Sequence, residues 1–167
     1  FKNIFHTISY APKILDIIKD KKRYKDLYLY NDVYIGNQHQ QFSALTIEIN
    51  PNLLFVSFEG TDELISGWKE DCAMTYKRFI PSQVQAIKYL NQHFTFKNCE
   101  LILGGHSKGG NLALISAMYS NPLIRKKVKE IISFDGPGLK KEQLELNRYK
   151  EVKDKYPKDQ IADVSKM

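Results

Sequence analysis

The sequence predicts an α/β fold: a mostly parallel sheet flanked by helices, with an antiparallel hairpin at one edge. Three observations carry this. From residue 53 onward, strand-like and helical runs alternate in the order strand, helix, helix, strand, helix, strand, helix, the pattern of parallel strands joined by helical crossovers. Just before them, FSALTIEI (42–49) and LLFVSF (53–58) are separated only by Asn50-Pro51-Asn52, which suits a hairpin. Finally, LLFVSF, ELILGG (100–105) and EIISFD (130–135) are short apolar runs, as expected of strands covered on both faces.

The elements follow in chain order. Residues 13–25 place Ile14, Leu15, Ile17 and Ile18 at helical spacing, with a basic end at Lys21, Lys22, Arg23 and Lys25; this reads as an amphipathic helix with a solvated charged face. NDVYIGNQHQQ (31–41) reads as a turn-rich connection. FSALTIEI alternates Leu45, Ile47 and Ile49 on one side. After LLFVSF, Gly60-Thr61-Asp62 is a loop that leads to a short helix. PSQVQAIKYLNQHF (81–94) opens on Pro81 and Ser82 and carries Val84, Ile87, Tyr89 and Leu90 as a helical stripe. The strand ELILGG leads to the apolar helix NLALISAMYS (111–120), a basic, polar stretch at 125–130, the strand EIISFD, and a last helix over 139–152 after Gly136-Pro137-Gly138.

Composition narrows the function classes. A chain of 167 residues suits one domain, read here as 1–167, and buries roughly 70% of its unfolded surface without staples. Phe1 is not an initiator Met, so the chain does not read as an intact translation product, and with no histidine after Ser107 the domain is expected to be C-terminally incomplete. The +6 charge is moderate and does not call for nucleic acid; weak contact with an anionic membrane surface through residues 19–25 and 125–129 stays open. Cys72 and Cys99 lie 27 residues apart with no CxxC, against a disulfide framework or cysteine zinc site. That fits a reducing, cytoplasmic setting. No run reaches the roughly 18 apolar residues needed to cross a bilayer.

The most informative segment is ELILGGHSKGGNLALIS. It contains Gly105-His106-Ser107-Lys108-Gly109, a G-x-S-x-G pattern between an apolar strand and an apolar helix. That is the setting of a nucleophile elbow. A sharp strand-to-helix turn presents Ser107 at its tip in a strained backbone conformation, and Gly105 and Gly109 remove side chains that would collide there. The helix N-terminus favours negative charge, so an oxyanion has a place, with the Lys108 N–H as one donor. The phosphate-binding patterns G-x-x-x-x-G-K-[ST] and G-x-G-x-x-G are absent.

Three blocks together resemble the class 3 lipases. FEGTDELISGWKEDC (58–72) is similar to their F-R-G-[ST]…W-x-x-D block, GHSKGGNLA (105–113) to their elbow, and ISFDGPG (132–138) to their next strand and its Gly-x-Pro turn. The Lys108-Gly109-Gly110-Asn111 version looks closest to an uncharacterised bacterial branch of lipase-like α/β hydrolases. The resemblance implies an α/β-hydrolase fold and serine hydrolysis of a carboxylic ester, the substrate being a small-molecule ester or a lipid, with no metal or organic cofactor. It implies that Thr61 supplies the second oxyanion-hole N–H, and it makes Trp68 and Asp71 structural, with Asp71 as a partner for nearby backbone or an Arg. Two departures stand out. Glu59 replaces the usual Arg, and Lys108 replaces the usual Leu; Lys108 either favours acidic substrates or points to solvent.

The remaining machinery is less determined. The chain order of such sites is Ser, then Asp or Glu, then His. Asp135 ends an apolar strand 28 residues after Ser107, on the ligand-facing edge of an open sheet. Its rivals are Asp154, Asp159 and Asp163. The histidines are His6, His39, His93 and His106, and none comes after Ser107. His106 should point away from the serine, and His93 is expected on a surface. The expectation is a chain that lacks its general base, through a missing C-terminal part or as a non-catalytic binding or scaffold protein on a hydrolase fold.

Overall fold

A computed structural model describes residues 11–62 and 64–155. Helix α1 (Ala11–Ile18) precedes strand β1 (Tyr28–Gly36), β2 (Gln41–Asn50) and β3 (Leu53–Phe58). Helices α2 (Ile65–Met74) and α3 (Pro81–Phe94) lead to β4 (Glu100–His106). Helices α4 (Lys108–Tyr119) and α5 (Pro122–Lys127) lead to β5 (Val128–Phe134), and the chain continues through α6 (Lys141–Leu144), α7 (Asn147–Val152) and a 3-10 turn over Lys153–Lys155.

The sheet order is β1-β2-β3-β4-β5. The expected hairpin forms with Leu45 opposite Ser57 and Ile47 opposite Phe55. The strands β3, β4 and β5 run parallel, pairing Phe58 with Gly105 and His106 with Phe134. The centre of the sheet is parallel, as expected, but its antiparallel edge is wider than a hairpin, because β1 extends it to three antiparallel strands. The segment that reads as a turn-rich connection at 31–41 contains most of β1. Asn31 has φ 55° and the register shifts between Tyr30 and Val33. This bulge interrupts the alternation that would have marked a strand.

Both crossovers step the same way across the sheet, so right-handed connections put α3 and α4 on one face, where they pack together. Under them lie Phe42, Ala44, Leu54, Val56, Phe58, Leu101, Leu103 and Ile131, all fully buried. Tyr89 of α3 is buried against Phe58, ring centroids 6.3 Å apart. Its hydroxyl donates to the Asn31 carbonyl at 2.9 Å, which leaves Thr46 Oγ1 as donor to Tyr89 at 2.7 Å. Burial pushes the Tyr89 phenol up to about 12. Thus α3 also pins the bulge of the edge strand.

Other boundaries differ from expectation for local reasons. The helix expected over 13–25 stops at Ile18 and gives way to turns. The helix expected over 139–152 splits into α6 and α7 at Glu145 and Leu146. The basic stretch near 125 is the last turn of α5, whose N-terminus is capped by Asn121 Oδ1 accepting from the Ile124 N–H at 3.0 Å. Among the described residues, no helix is long and apolar enough to cross a membrane.

Candidate active site

Ser107 stands between β4 and α4 with φ 52° and ψ −126°. A non-glycine residue is rarely held there, and such strain costs of order 1–3 kcal/mol. The surroundings enforce it. The Ser107 N–H donates to the Phe134 carbonyl at 2.8 Å, and the Ser107 carbonyl accepts from the Gly110 N–H at 3.0 Å. A Cβ on Gly109 would collide with the Phe58 carbonyl, and one on Gly105 would sit 2.5 Å from the Gly109 carbonyl carbon. The turn can therefore be this tight only because both positions are glycine, as the sequence pattern requires. Lys108 and Gly109 open the helix, so their N–H groups have no acceptor within it.

The loop after β3 meets this turn. A Cβ on Gly60 would lie 2.8 Å from the His106 carbonyl oxygen and 3.6 Å from Ser107 Cβ. Thr61 comes directly after it, and its hydroxyl donates to Asp71 Oδ2 at 2.6 Å. Asp71 thus partners the loop itself, not an Arg or the backbone, and its Oδ1 is buried with no hydrogen-bond partner among the described residues. Trp68, expected to be structural, is 64% exposed on the outer side of α2. Asp71, on the inner side, does the anchoring.

Lys108 departs most from expectation. Its side chain does not reach solvent: it is 0% exposed. Its ammonium donates to the Gln41 carbonyl at 2.9 Å, to Gln41 Oε1, and to Glu70 Oε2 at 3.1 Å. Glu70 also accepts from the Gln41 N–H at 3.2 Å and the Ser82 N–H at 2.9 Å. The chain leaving the elbow turns the residue inward as helix α4 begins, and its ammonium is held by Gln41 and Glu70.

Asp135 succeeds β5 as Ser107 succeeds β4, and the His106–Phe134 pairing puts the two side by side at one sheet edge. Asp135 is exposed and also has positive φ, 50°. Its loop is tethered by Asn111 of α4, whose Nδ2 donates to the Pro137 carbonyl at 2.9 Å and the Gly138 carbonyl at 3.3 Å. Gln83 Nε2 donates to Asn111 Oδ1 at 2.8 Å. Asp154 lies on the 3-10 turn, where Lys155 donates to the Arg125 carbonyl ahead of β5. That is the opposite end of the sheet from Ser107. Asp159, Asp163 and His6 lie outside the described residues.

The histidines are dispersed. His106 is exposed. His39 is exposed in the β1–β2 turn, where its N–H donates to Asn37 Oδ1 at 2.9 Å; through Gln41 this turn belongs to the elbow edge of the sheet. His93 stands near the end of α3, at the opposite edge, half-buried with its ring 4.6 Å from that of Tyr89. It is not simply a surface residue. Burial holds its imidazole below the ordinary value. Among the described residues, no imidazole is hydrogen-bonded to Ser107.

Sequence reasoning missed Gln41, Glu70, Gln83 and Asn111. The available signal was a polar residue inside an apolar helix, as with Asn111 in NLALISAMYS; Gln41 and Glu70 carried no such mark.

An α/β sheet with a serine in a strained strand-to-helix turn defines the class. The chain belongs to the Mbeg1-like family, whose model matches residues 18–165. A crystal structure of M37 lipase is similar with a TM-score of 0.49 and 14% identity over 87% of this chain. The match spans 57% of that lipase chain. No curated protein matches the sequence.

Proposed function

We propose that this protein is a serine hydrolase that cleaves a carboxylic ester, from a small-molecule ester or a lipid, through an acyl-enzyme on Ser107. The observation that carries the reading is the backbone of Ser107, strained at φ 52° at the head of α4. Strain of this kind persists where the surroundings over-determine it, and it collects at reacting residues. Membership of the Mbeg1-like family, a lipase-like family, supports the same reading.

In this reading Ser107 Oγ attacks the ester carbonyl carbon and its proton passes to an acceptor. The tetrahedral oxyanion takes hydrogen bonds from the Lys108 and Thr61 N–H groups. The C–O bond then breaks, the alcohol leaves with the proton, and water hydrolyses the acyl-enzyme. Each oxyanion donor contributes about 3–4 kcal/mol to the transition state. Asp135, beside Ser107 at the sheet edge, is the acid that would orient and stabilise a protonated base.

The test is labelling with a fluorophosphonate probe, with mass spectrometry of the tryptic peptides, beside p-nitrophenyl ester turnover. The expected adduct is on Ser107. Ser107→Ala should lose the label and at least about 10³-fold of any turnover while remaining folded by circular dichroism. A folded protein that takes no label at Ser107 would favour a binding protein on this fold.

A further inference from the structure

We infer that the buried Lys108–Gln41–Glu70 cluster is a positioning brace for the oxyanion hole, holding the Gly60–Thr61 peptide so that the Thr61 N–H faces the elbow. The inference rests on the reading of Ser107 as an acyl-transfer nucleophile.

Gln41 is the hinge of the brace. An ammonium can only donate, so the atom of the Gln41 side-chain amide facing Lys108 must be the oxygen. That fixes the amide's orientation and sends Nε2 to the Gly60 carbonyl at 3.1 Å. The described chain has no cis peptide bond. In a trans peptide the carbonyl and the next N–H point to opposite sides. Drawing the Gly60 carbonyl toward Gln41 therefore turns the Thr61 N–H away from Gln41. A Cβ at Gly60 would lie 2.8 Å from the His106 carbonyl oxygen and 3.6 Å from Ser107 Cβ, so the Gly60–Thr61 peptide passes close to the elbow.

The rest of the cluster makes Gln41 rigid. The three protons of Lys108 go to the Gln41 carbonyl, Gln41 Oε1 and Glu70 Oε2. Glu70 accepts from the Gln41 N–H and balances the lysine charge. Both side chains of this ion pair are almost fully buried, at 0% and 3% exposure. An apolar pair would fill the same space without the desolvation cost. What an apolar pair would lose is control of the Gln41 amide. Lys108 then acts twice: its backbone N–H is one oxyanion donor, and its side chain, through Gln41, sets the direction of the other. Thr61 is held by its own side chain as well, through its hydroxyl on Asp71.

The experiment compares the full chain with Gln41→Met, which keeps the length of the side chain and removes the amide. Amide spectra of ¹⁵N-labelled protein and fluorophosphonate labelling rates are read on the same samples. The expected result is a displaced Thr61 amide signal with roughly tenfold faster hydrogen exchange, while amides in the body of α4, such as Leu114, are unchanged. Labelling at Ser107 should slow by 10- to 100-fold, and ester turnover should lose kcat with KM within about twofold. Should Gln41→Met not fold, Gln41→Glu keeps an oxygen for Lys108 and removes the donor to Gly60, and the same changes are expected. An unchanged Thr61 amide, or an unchanged labelling rate in a folded variant, overturns the brace. Wild-type protein that takes no label instead overturns the nucleophile reading, and the Thr61 amide then still decides whether Gln41 sets that peptide.

Discussion

The Ser107 N–H donates to the Phe134 carbonyl at 2.8 Å, tying the first residue past β4 to the last residue of β5. The bond continues the parallel ladder one step beyond the strands and holds the residues just past both strand ends in place. Ser107 and Asp135 both have positive φ, 52° and 50°, so both chains leave the sheet edge abruptly. One enters α4; the other enters the Gly136-Pro137-Gly138 loop that Asn111 holds down. A single interstrand bond thus aligns the proposed nucleophile with the proposed acid.

The strain at Ser107 gives a stability signature that does not depend on any substrate. Glycine adopts φ 52° freely, whereas alanine keeps the steric penalty of serine. Ser107→Gly should be more stable than Ser107→Ala by about 1 kcal/mol, a difference of roughly 2–4 °C in Tm for a chain of this size. Both should lack the fluorophosphonate adduct. Calorimetry giving the alanine variant the same or higher Tm would show that the backbone at Ser107 carries no stored strain.

The legible parts of this fold are those in which one local rule suffices. The strands β3, β4 and β5 are apolar runs closed by turn residues, β2 alternates and is joined to β3 by a short turn, and Pro81–Phe94 has its helical stripe and an N-terminal proline. The elbow is legible because steric necessity leaves glycine the sole occupant of positions 105 and 109. β1 is not, because a bulge at Asn31 breaks its alternation and little of it is buried. The fate of Lys108 is not legible either. Its partners Gln41 and Glu70 are 67 and 38 residues away in sequence, and a lysine in a sequence reads as solvated unless its partners are known. Asp71 reads from sequence as a structural carboxylate with an arginine or backbone partner; the structure gives it a hydroxyl partner on the oxyanion loop.

Asn111 supplies a second prediction. It is buried in α4 and joins three elements, accepting from Gln83 and donating to the carbonyls of Pro137 and Gly138. Asn111→Leu keeps the branched outline of the side chain, though it is larger, and takes these partners away from the Gln83 amide and both loop carbonyls. Each stranded group costs about 1–3 kcal/mol, so the variant should lose at least about 2 kcal/mol in urea unfolding. The loop carrying Asp135 should also become more accessible to proteolysis near Gly136-Pro137-Gly138. Wild-type stability together with an unchanged cleavage pattern would show that this tether does not hold the loop.

His93 makes the stability of the fold depend on pH with a definite sign. Burial near Tyr89 disfavours its protonated form, so its folded value lies below the ordinary imidazole value of about 6.5. Between those two values the unfolded chain binds the proton more readily than the folded one, and stability rises with pH wherever that holds. The contribution is therefore complete above about pH 6.5 and is lost as the pH falls toward the lowered folded value. His93→Gln removes the titration and keeps a polar side chain of similar reach. The drop in Tm between about pH 7.5 and pH 5.5, a range chosen to span the free imidazole value, should be smaller in the variant than in the wild type. The effect should be modest, because the ring is partly open to solvent and its charged form is partly hydrated there. An NMR titration placing the His93 ring at or above the free imidazole value, with equal acid losses in both proteins, would show that α3 does not bury this side chain against Tyr89.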